Sequence, residues 1–169
     1  MTRTVALVWL VSFSVPDPSG SLWVGAWRDR QVVRVDPRSN RVVARFPAGG
    51  RNPAGLAVGA GTNWVVHPDT DEVVRLELGT GRVVARIKLG PLPFQVAPGD
   101  DRFLPSLVAV GAGAGSVASG RGAVARIDAA TDRVREIVPT GLPIGLAAAA
   151  GAVWGPRPPR VVGVSTGPR

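Results

Sequence analysis

The chain has 169 residues, a formal net charge of +8, no cysteine and a single histidine, His67. Its 22 glycines and 16 prolines disfavour helices, while 45 % hydrophobic residues is too many for a disordered chain. The composition excludes disulfides, thiol nucleophiles, cysteine-ligated metals and any site that needs two imidazoles. A turn-rich, strand-rich globular domain, long enough to bury a core, remains.

The basic charge is spread evenly along the sequence. Every basic residue except Lys88 is an arginine, and no cluster of adjacent basic residues occurs. A nucleic-acid-binding protein concentrates such residues in a stripe or patch. The sequence therefore predicts a solvated, charge-paired surface and no nucleic-acid partner.

One long apolar run occupies residues 5–13, after Arg3 and before Pro16. Nine residues are too few to span a bilayer, so no membrane span is predicted. The length favours a buried β-strand. An export signal is the alternative, because a charged residue precedes the run and small residues follow it. Localisation, cytoplasmic or exported, stays open.

A unit of about 41 residues recurs along the chain. Its recurring elements are a tryptophan in a short strand, found in the first, second and fourth units, and an apolar–arginine–apolar–acid tetrad followed by a strand that begins with arginine, found in the first three. A glycine and a proline next lead into a strand of small residues. The tetrads lie at 33–36, 74–77 and 125–128, and the tryptophans are Trp23, Trp64 and Trp154. The third unit is about ten residues longer, which indicates an insertion around 98–106.

The apolar segments within each unit are short and separated by turn residues, which is typical of strands and hairpins. Four strands in about 40 residues correspond to one blade of a β-propeller. The sequence predicts an all-β propeller of about 3.5–4 four-stranded blades, complete or partial. The units are about 5–46, 53–88, 93–138 and 143–155, with 156–169 as a Pro/Gly-rich tail or incomplete last blade. The propeller ring can close in three ways: as four blades of one chain, as a homodimer, or with missing blades of a larger propeller. The sequence favours the last.

Each tetrad acid is followed five residues later by an arginine, which predicts cross-strand pairs in a hairpin. The pairs are Asp36 with Arg41, Glu77 with Arg82, and Asp128 with Arg133. Strict alternation along both strands would place the apolar residues on one face and the arginines on the other, near the rim of the blade. In the first unit the predicted apolar face is Val33, Val35, Val42, Ala44 and Phe46.

The order of these elements resembles the YVTN-type and NHL-type β-propeller repeats, and it is similar to the streptogramin (virginiamycin B) lyase-like group. The resemblance covers residues 22–154 and includes Gly-Leu-Ala-Val-Gly at 55–59 before Trp64. It implies a propeller fold. The lyases of this group act through a histidine pair and a glutamate with a divalent metal. His67 has no second histidine beside it here, so the resemblance does not bring the activity with it.

The candidate site residues are few. Asp69, Asp71 and Glu72 could hold Mg²⁺ or Ca²⁺ through oxygen ligands, but acid-rich loops more often form turns. No catalytic residue, metal or cofactor is therefore predicted. Trp27, which has no equivalent in the other units, and His67 are the candidate binding residues. Trp23, Trp64 and Trp154 are predicted to pack between blades.

The predicted function is a non-enzymatic binding or scaffold module whose loops contact a protein or small ligand. The alternative is a streptogramin-lyase-like, metal-dependent enzyme or a degenerate relative of one. Function does not follow from a propeller fold alone, because propellers host enzymes and scaffolds alike.

Overall fold

The computed structural model describes residues 11–90, 107–111, 113–119, 123–139, 146–149, 152–157 and 160–165. Within these ranges the chain forms strands and turns, without a helix that could span a membrane. The strands are β1 (Val11–Pro16), β2 (Leu22–Ala26), β3 (Gln31–Asp36), β4 (Arg41–Pro47), β5 (Gly55–Gly59), β6 (Thr62–His67), β7 (Glu72–Glu77), β8 (Val83–Lys88), β9 (Leu107–Gly111), β10 (Ala114–Ser119), β11 (Ala123–Asp128), β12 (Arg133–Pro139), β13 (Ala147–Ala149), β14 (Ala152–Arg157) and β15 (Arg160–Ser165).

The strands form four antiparallel sheets in which each strand pairs with the next along the chain. We call them blade 1 (β1–β4), blade 2 (β5–β8), blade 3 (β9–β12) and blade 4 (β13–β15). The predicted all-β fold of four-stranded units is confirmed. Residues 1–10 and the predicted insertion at 98–106 lie outside the described residues, and β1 takes up only the end of the 5–13 run.

The blades are arranged around their first strands. β1 contacts β5, β5 contacts β9, and β9 contacts β13. This succession of innermost strands is the arrangement of a β-propeller. In the described part of the chain the sheets do not close into a ring.

The hydrophobic core lies between blades. Alternation along β6 sends Val65 towards blade 1 and sends Trp64 and Val66 towards blade 3. The core between blades 1 and 2 comprises Trp23, Val32, Ala48, Leu56, Val65, Val74 and Leu76. The core between blades 2 and 3 comprises Trp64, Val66, Val73, Ile87, Leu89, Val117, Ala125 and Ile127.

Two of the three repeat tryptophans confirm the prediction that this position packs between blades. The side chains of Trp23 and Trp64 are fully buried, each in one of the two cores. Trp154 lies in β14, opposite Ala147 and Gly163, and its side chain falls outside the described part of the structure. Burying one large ring per interface explains why neighbouring blades stabilise each other.

The predicted hairpin register is confirmed where the acid meets the arginine. Asp36 lies opposite Arg41, and Asp128 lies opposite Arg133. In blade 2 the backbone N–H of Glu77 donates to the carbonyl oxygen of Arg82 at 2.9 Å. The acid–arginine spacing therefore predicts the register of this turn correctly. Among these described residues, the predicted side-chain pair forms only between Glu77 and Arg82. Asp36 accepts from Ser39 instead, and Asp128 pairs with Arg135.

The predicted assignment of faces is wrong, because each outer hairpin contains a β-bulge. In blade 1 the pairing shifts between Arg34 and Val35, so that Ala44 lies opposite Arg34 and Phe46 opposite Val32. One extra residue in the outer strand reverses the alternation beyond it. The tetrad arginine consequently lies on an inter-blade face and not at the rim.

Candidate functional site

The candidate residues lie on two equivalent turns, β2–β3 in blade 1 and β6–β7 in blade 2. Each turn contains a residue with positive φ, Arg30 at 54° and Asp71 at 49°. The carbonyl oxygens of these residues accept hydrogen bonds of 2.9 Å from the backbone N–H groups of Ala48 and Leu89. Both turns are thereby tied to the end of the outer strand of their own blade.

His67, the last residue of β6, is fully buried. Its Nε2 atom lies 3.0 Å from the carbonyl oxygen of Ala48, and its Nδ1 atom contacts the carbonyl oxygen of Arg51. A Cβ atom on Gly50 would lie 2.9 Å from the ring, so only glycine fits there. His67 therefore anchors the connection from blade 1 to blade 2, and each of its ring nitrogens contacts a backbone carbonyl oxygen.

The three candidate carboxylates do not converge on a common partner. Asp69 Oδ2 accepts a hydrogen bond of 2.9 Å from Asn52 Nδ2. Glu72 pairs with Lys88 Nζ at 3.0 Å, and this bond, opposed by partial burial, keeps the pKa of Glu72 below its ordinary value. Asp71 has a buried Oδ1 atom with no hydrogen-bond partner among the described residues.

The described residues contain no group of three acidic or imidazole side chains that could hold a metal ion. The lyase resemblance implies a histidine pair, a glutamate and a divalent metal. The single histidine faces backbone carbonyl oxygens, and the nearby carboxylates point to Asn52 and Lys88. The residues present in this part of the chain do not fit that metal.

Trp27 starts the β2–β3 turn and is 37 % exposed. Its neighbours Arg28, Asp29 and Arg30 are exposed as well. Between the two candidate binding residues, Trp27 is accessible to a partner and His67 is not.

Sequence reasoning missed Arg75, the tetrad arginine of blade 2. Its side chain is buried, and its guanidinium lies 4.7 Å from the ring of Trp64. Nε donates to Thr62 Oγ1 at 3.1 Å, and Nη1 donates to the carbonyl oxygen of Ala129 at 2.7 Å and pairs with Asp132. The last two residues belong to the β11–β12 turn, so Arg75 links blade 2 to blade 3.

A signal for this contact is present in the repeat. In the two blades that contain both residues, the tetrad arginine lies directly opposite the repeat tryptophan: Arg34 opposite Trp23, and Arg75 opposite Trp64. A cation stacked on an indole is favourable when both are buried. Recognising the pair as partners on one face would have predicted the buried arginine.

The strand topology and the inter-blade cores define a β-propeller. No protein-family model and no curated protein matches the sequence. Among solved structures, the chain is similar to the hydrazine synthase of Kuenenia stuttgartiensis, with a TM-score of 0.69 and 15 % identity over 92 % of this chain and 45 % of that one.

Two further structures share the fold. The computationally designed Ika4 protein matches with a TM-score of 0.69 and 12 % identity over 94 % of this chain and 92 % of that one. Virginiamycin B lyase from Staphylococcus aureus matches with a TM-score of 0.62 and 13 % identity over 92 % of this chain and 55 % of that one. The chain thus has a streptogramin-lyase-like propeller fold and spans about half the length of the natural proteins it matches.

Proposed function

We propose that the chain is a propeller module that binds a protein or small ligand and performs no catalysis itself. The observation that carries this proposal is the burial of His67, the only imidazole of the sequence, between two backbone carbonyl oxygens. A general base must reach the proton that it removes, and this ring faces the inter-blade connection.

An activity assay tests the non-catalytic role against the lyase alternative. The purified chain is incubated with virginiamycin B and Mg²⁺, and cleavage is followed by mass spectrometry. We expect no conversion above buffer. We also expect His67→Gln to lower the unfolding midpoint, because one carbonyl loses its partner. Conversion that disappears in His67→Gln, at a temperature where the variant stays folded, contradicts the proposal.

We also propose that further blades, from a second copy or from additional polypeptide, complete the ring. Two facts support this: the sheets of the described residues do not close, and the chain spans 55 % of the virginiamycin B lyase chain. Exposed blade faces favour association. Light scattering should find an assembly heavier than the 17.5 kDa chain. If it finds the monomer, a thermal melt should show unfolding without a cooperative transition. A cooperatively folded monomer of that mass contradicts this proposal.

A further inference from the structure

Blades 1 and 2 differ in charge although they share one repeat. Residues 11–54, which form blade 1 and its connection, contain seven arginines and three aspartates. Residues 55–90, which form blade 2, contain four basic and four acidic residues. The even spread of arginine along the sequence therefore conceals a positive blade beside a neutral one.

The acids of blade 1 form no ion pair with its arginines among the described residues, although Asp29 lies between Arg28 and Arg30 in the sequence. Asp17 accepts hydrogen bonds from Ser19, Ser21 and Trp23 within its own turn. Asp36 accepts from Ser39 and from the backbone N–H of Arg38. The described residues of blade 1 form no ion pair.

Three of the four basic residues of blade 2 form ion pairs. Arg82 lies 3.5 Å from Glu77, Lys88 lies 3.0 Å from Glu72, and Arg75 pairs with Asp132 of blade 3. Arg86 forms no ion pair with a described residue. Ion pairs thus engage most of the basic residues of blade 2 and none of those described in blade 1.

The unpaired arginines of blade 1 follow its outermost strand from end to end. Arg41 and Arg45 are exposed on β4, and Arg38 lies in the turn just before it. At the other end, the bond from Ala48 N–H to the carbonyl oxygen of Arg30 holds the β2–β3 turn beside the strand. We call Arg28, Arg30, Arg38, Arg41 and Arg45 the arginine band. It accompanies a strand about 20 Å long.

Two exposed apolar side chains accompany the arginine band. Val43 lies between Arg41 and Arg45 and is 48 % exposed, and Trp27 stands at the end of the band and is 37 % exposed. Arginine and tryptophan are the residues most enriched at the energetic centres of protein interfaces. β4 pairs only with β3 among the described strands, so its outer edge offers free backbone groups.

We propose that the arginine band of blade 1 binds an extended acidic polypeptide segment along β4. Carboxylates of the segment would face Arg41 and Arg45, an apolar side chain would face Val43, and backbone groups would pair with the edge of β4. A single-stranded nucleic acid is the weaker fit, because it needs several stacking aromatics and the described residues expose only Trp27. The inference rests on the proposed binding role.

The test compares two equivalent pairs of arginines. Strand β4 begins Arg-Val-Val-Ala-Arg, and the same five residues recur at 82–86, where Val84 is 39 % exposed. Arg41→Glu with Arg45→Glu and Arg82→Glu with Arg86→Glu change the net charge equally. Fluorescence anisotropy measures binding of a labelled peptide of about nine residues, the Glu–Val peptide, in which Glu and Val take turns at every second position and Thr fills the positions between. One face of this extended peptide presents Glu, Val and Glu in turn, as the exposed residues of β4 require, and the peptide would span the strand. The Gln–Val peptide has Gln in place of each Glu. The Gln–Val peptide and an oligothymidylate of equal charge are the control probes.

We expect the Glu–Val peptide to bind with an affinity that falls with salt, and the Gln–Val peptide to bind at least about tenfold more weakly. The pair at 41 and 45 should weaken binding at least about tenfold, and the pair at 82 and 86 less than about twofold. Equal weakening by both pairs, no binding of the Glu–Val peptide, or tighter binding of the oligothymidylate overturns the proposal.

Circular dichroism and thermal melting establish that each variant is folded. If the pair of glutamates prevents folding, Arg41→Gln with Arg45→Gln replaces it, and any loss of binding smaller than that of Arg82→Gln with Arg86→Gln overturns the proposal. The peptide assay is independent of the lyase assay. Cleavage of virginiamycin B would refute the non-catalytic role, whereas failure of the peptide to bind would refute only the acidic partner.

Discussion

Blade 2 meets blade 1 and blade 3 through equivalent positions of the repeat, but the two interfaces use different chemistry. Towards blade 3, Arg75 stacks on Trp64 and pairs with Asp132. Towards blade 2, Arg34 lies 6.0 Å over Trp23 and forms no ion pair with a described residue. The difference originates in the neighbouring turn, because blade 2 has Gly81 at the position that Asp132 occupies in blade 3.

Phe46 fills the space at the first interface. It stacks on Trp23 with ring centroids 5.7 Å apart, and a Cβ atom on Gly81 would lie 2.2 Å from its ring. An aromatic pair against glycine thus replaces an arginine–aspartate pair. Both interfaces of blade 2 therefore contain a buried tryptophan at the same repeat position, while the contact beyond that ring differs between them.

Trp23 and Trp64 are expected to stabilise their interfaces equally, and replacing either should have the largest effect on the free energy of unfolding. Trp64→Ala and Trp23→Ala each remove a fully buried ring and should each lower the free energy of unfolding by about 3–5 kcal/mol. Urea denaturation monitored by circular dichroism measures both, with Trp27→Ala, whose ring lies outside the two cores and is 37 % exposed, as the control, expected to cost about 1 kcal/mol. A loss below 1 kcal/mol for one of the two buried rings shows that the interfaces do not share this anchor.

The next effect separates the two arginines. Arg75→Met removes an inter-blade ion pair and two further hydrogen bonds while keeping the length of the side chain, and should cost about 2–3 kcal/mol. Arg34→Met should cost less than about 1 kcal/mol, since only the contact with Trp23 is weakened. The same urea measurement applies. Equal losses would mean that the ion pair with Asp132 contributes nothing to the difference.

The repeat predicted much of this architecture because its information is local. Short apolar strands, turn residues and the acid–arginine spacing each act over a few neighbouring residues, and they gave the strand order and the places of Trp23 and Trp64. The β-bulge beside Val43 was not predicted, because Arg-Val-Val-Ala-Arg has the pattern of a regular strand. Local patterns also carry no information about a partner 57 residues away, as Asp132 is from Arg75.

The candidate site was less predictable than the fold for a related reason. His67 was predicted as a candidate binding residue, but its burial depends on the connection that crosses from blade 1, which no local pattern reveals. The arginine band was hidden because arginines are evenly spaced along the chain. Only the fold reveals that Asp17 and Asp36 of blade 1 are engaged in their own turns.

A smaller effect examines the space that Phe46 fills. Gly81 has a φ of +68°, and its missing side chain makes room for the Phe46 ring. Gly81→Ala should therefore destabilise the chain by about 1–3 kcal/mol, through backbone strain and overpacking. Gly79→Ala, in the same turn with open space around it, is the matched control. Thermal melting of Gly81→Ala in a Phe46→Ala background should recover part of the loss, and an unchanged loss assigns the whole effect to the backbone.

The smallest effect concerns the indole N–H groups, which also differ between the blades. Trp23 Nε1 donates to the Asp17 carboxylate at 2.9 Å, whereas Trp64 Nε1 donates to the backbone carbonyl oxygen of Gly59 at 3.2 Å. Burial opposes ionisation of Asp17, but hydrogen bonds from Ser19, Trp23 and Ser21 outweigh it and lower its pKa. A carboxylate with a lowered folded pKa stabilises the fold above its ordinary pKa and loses that contribution as the pH falls through the folded value.

The Trp23 indole N–H signal in NMR spectra should therefore shift as the pH falls below about 4, while that of Trp64 stays constant. Asp17→Asn removes the titrating group and should abolish the Trp23 shift, and it should make the loss of stability at acid pH smaller, while other carboxylates with lowered pKa values continue to contribute to it. Asp36→Asn is the matched control, because the pKa of Asp36 is likewise lowered, mainly by the Ser39 hydrogen bond, without contact to an indole. If both indoles shift together in the wild-type chain, the cause is loosening of the whole propeller and not the Asp17 bond in blade 1.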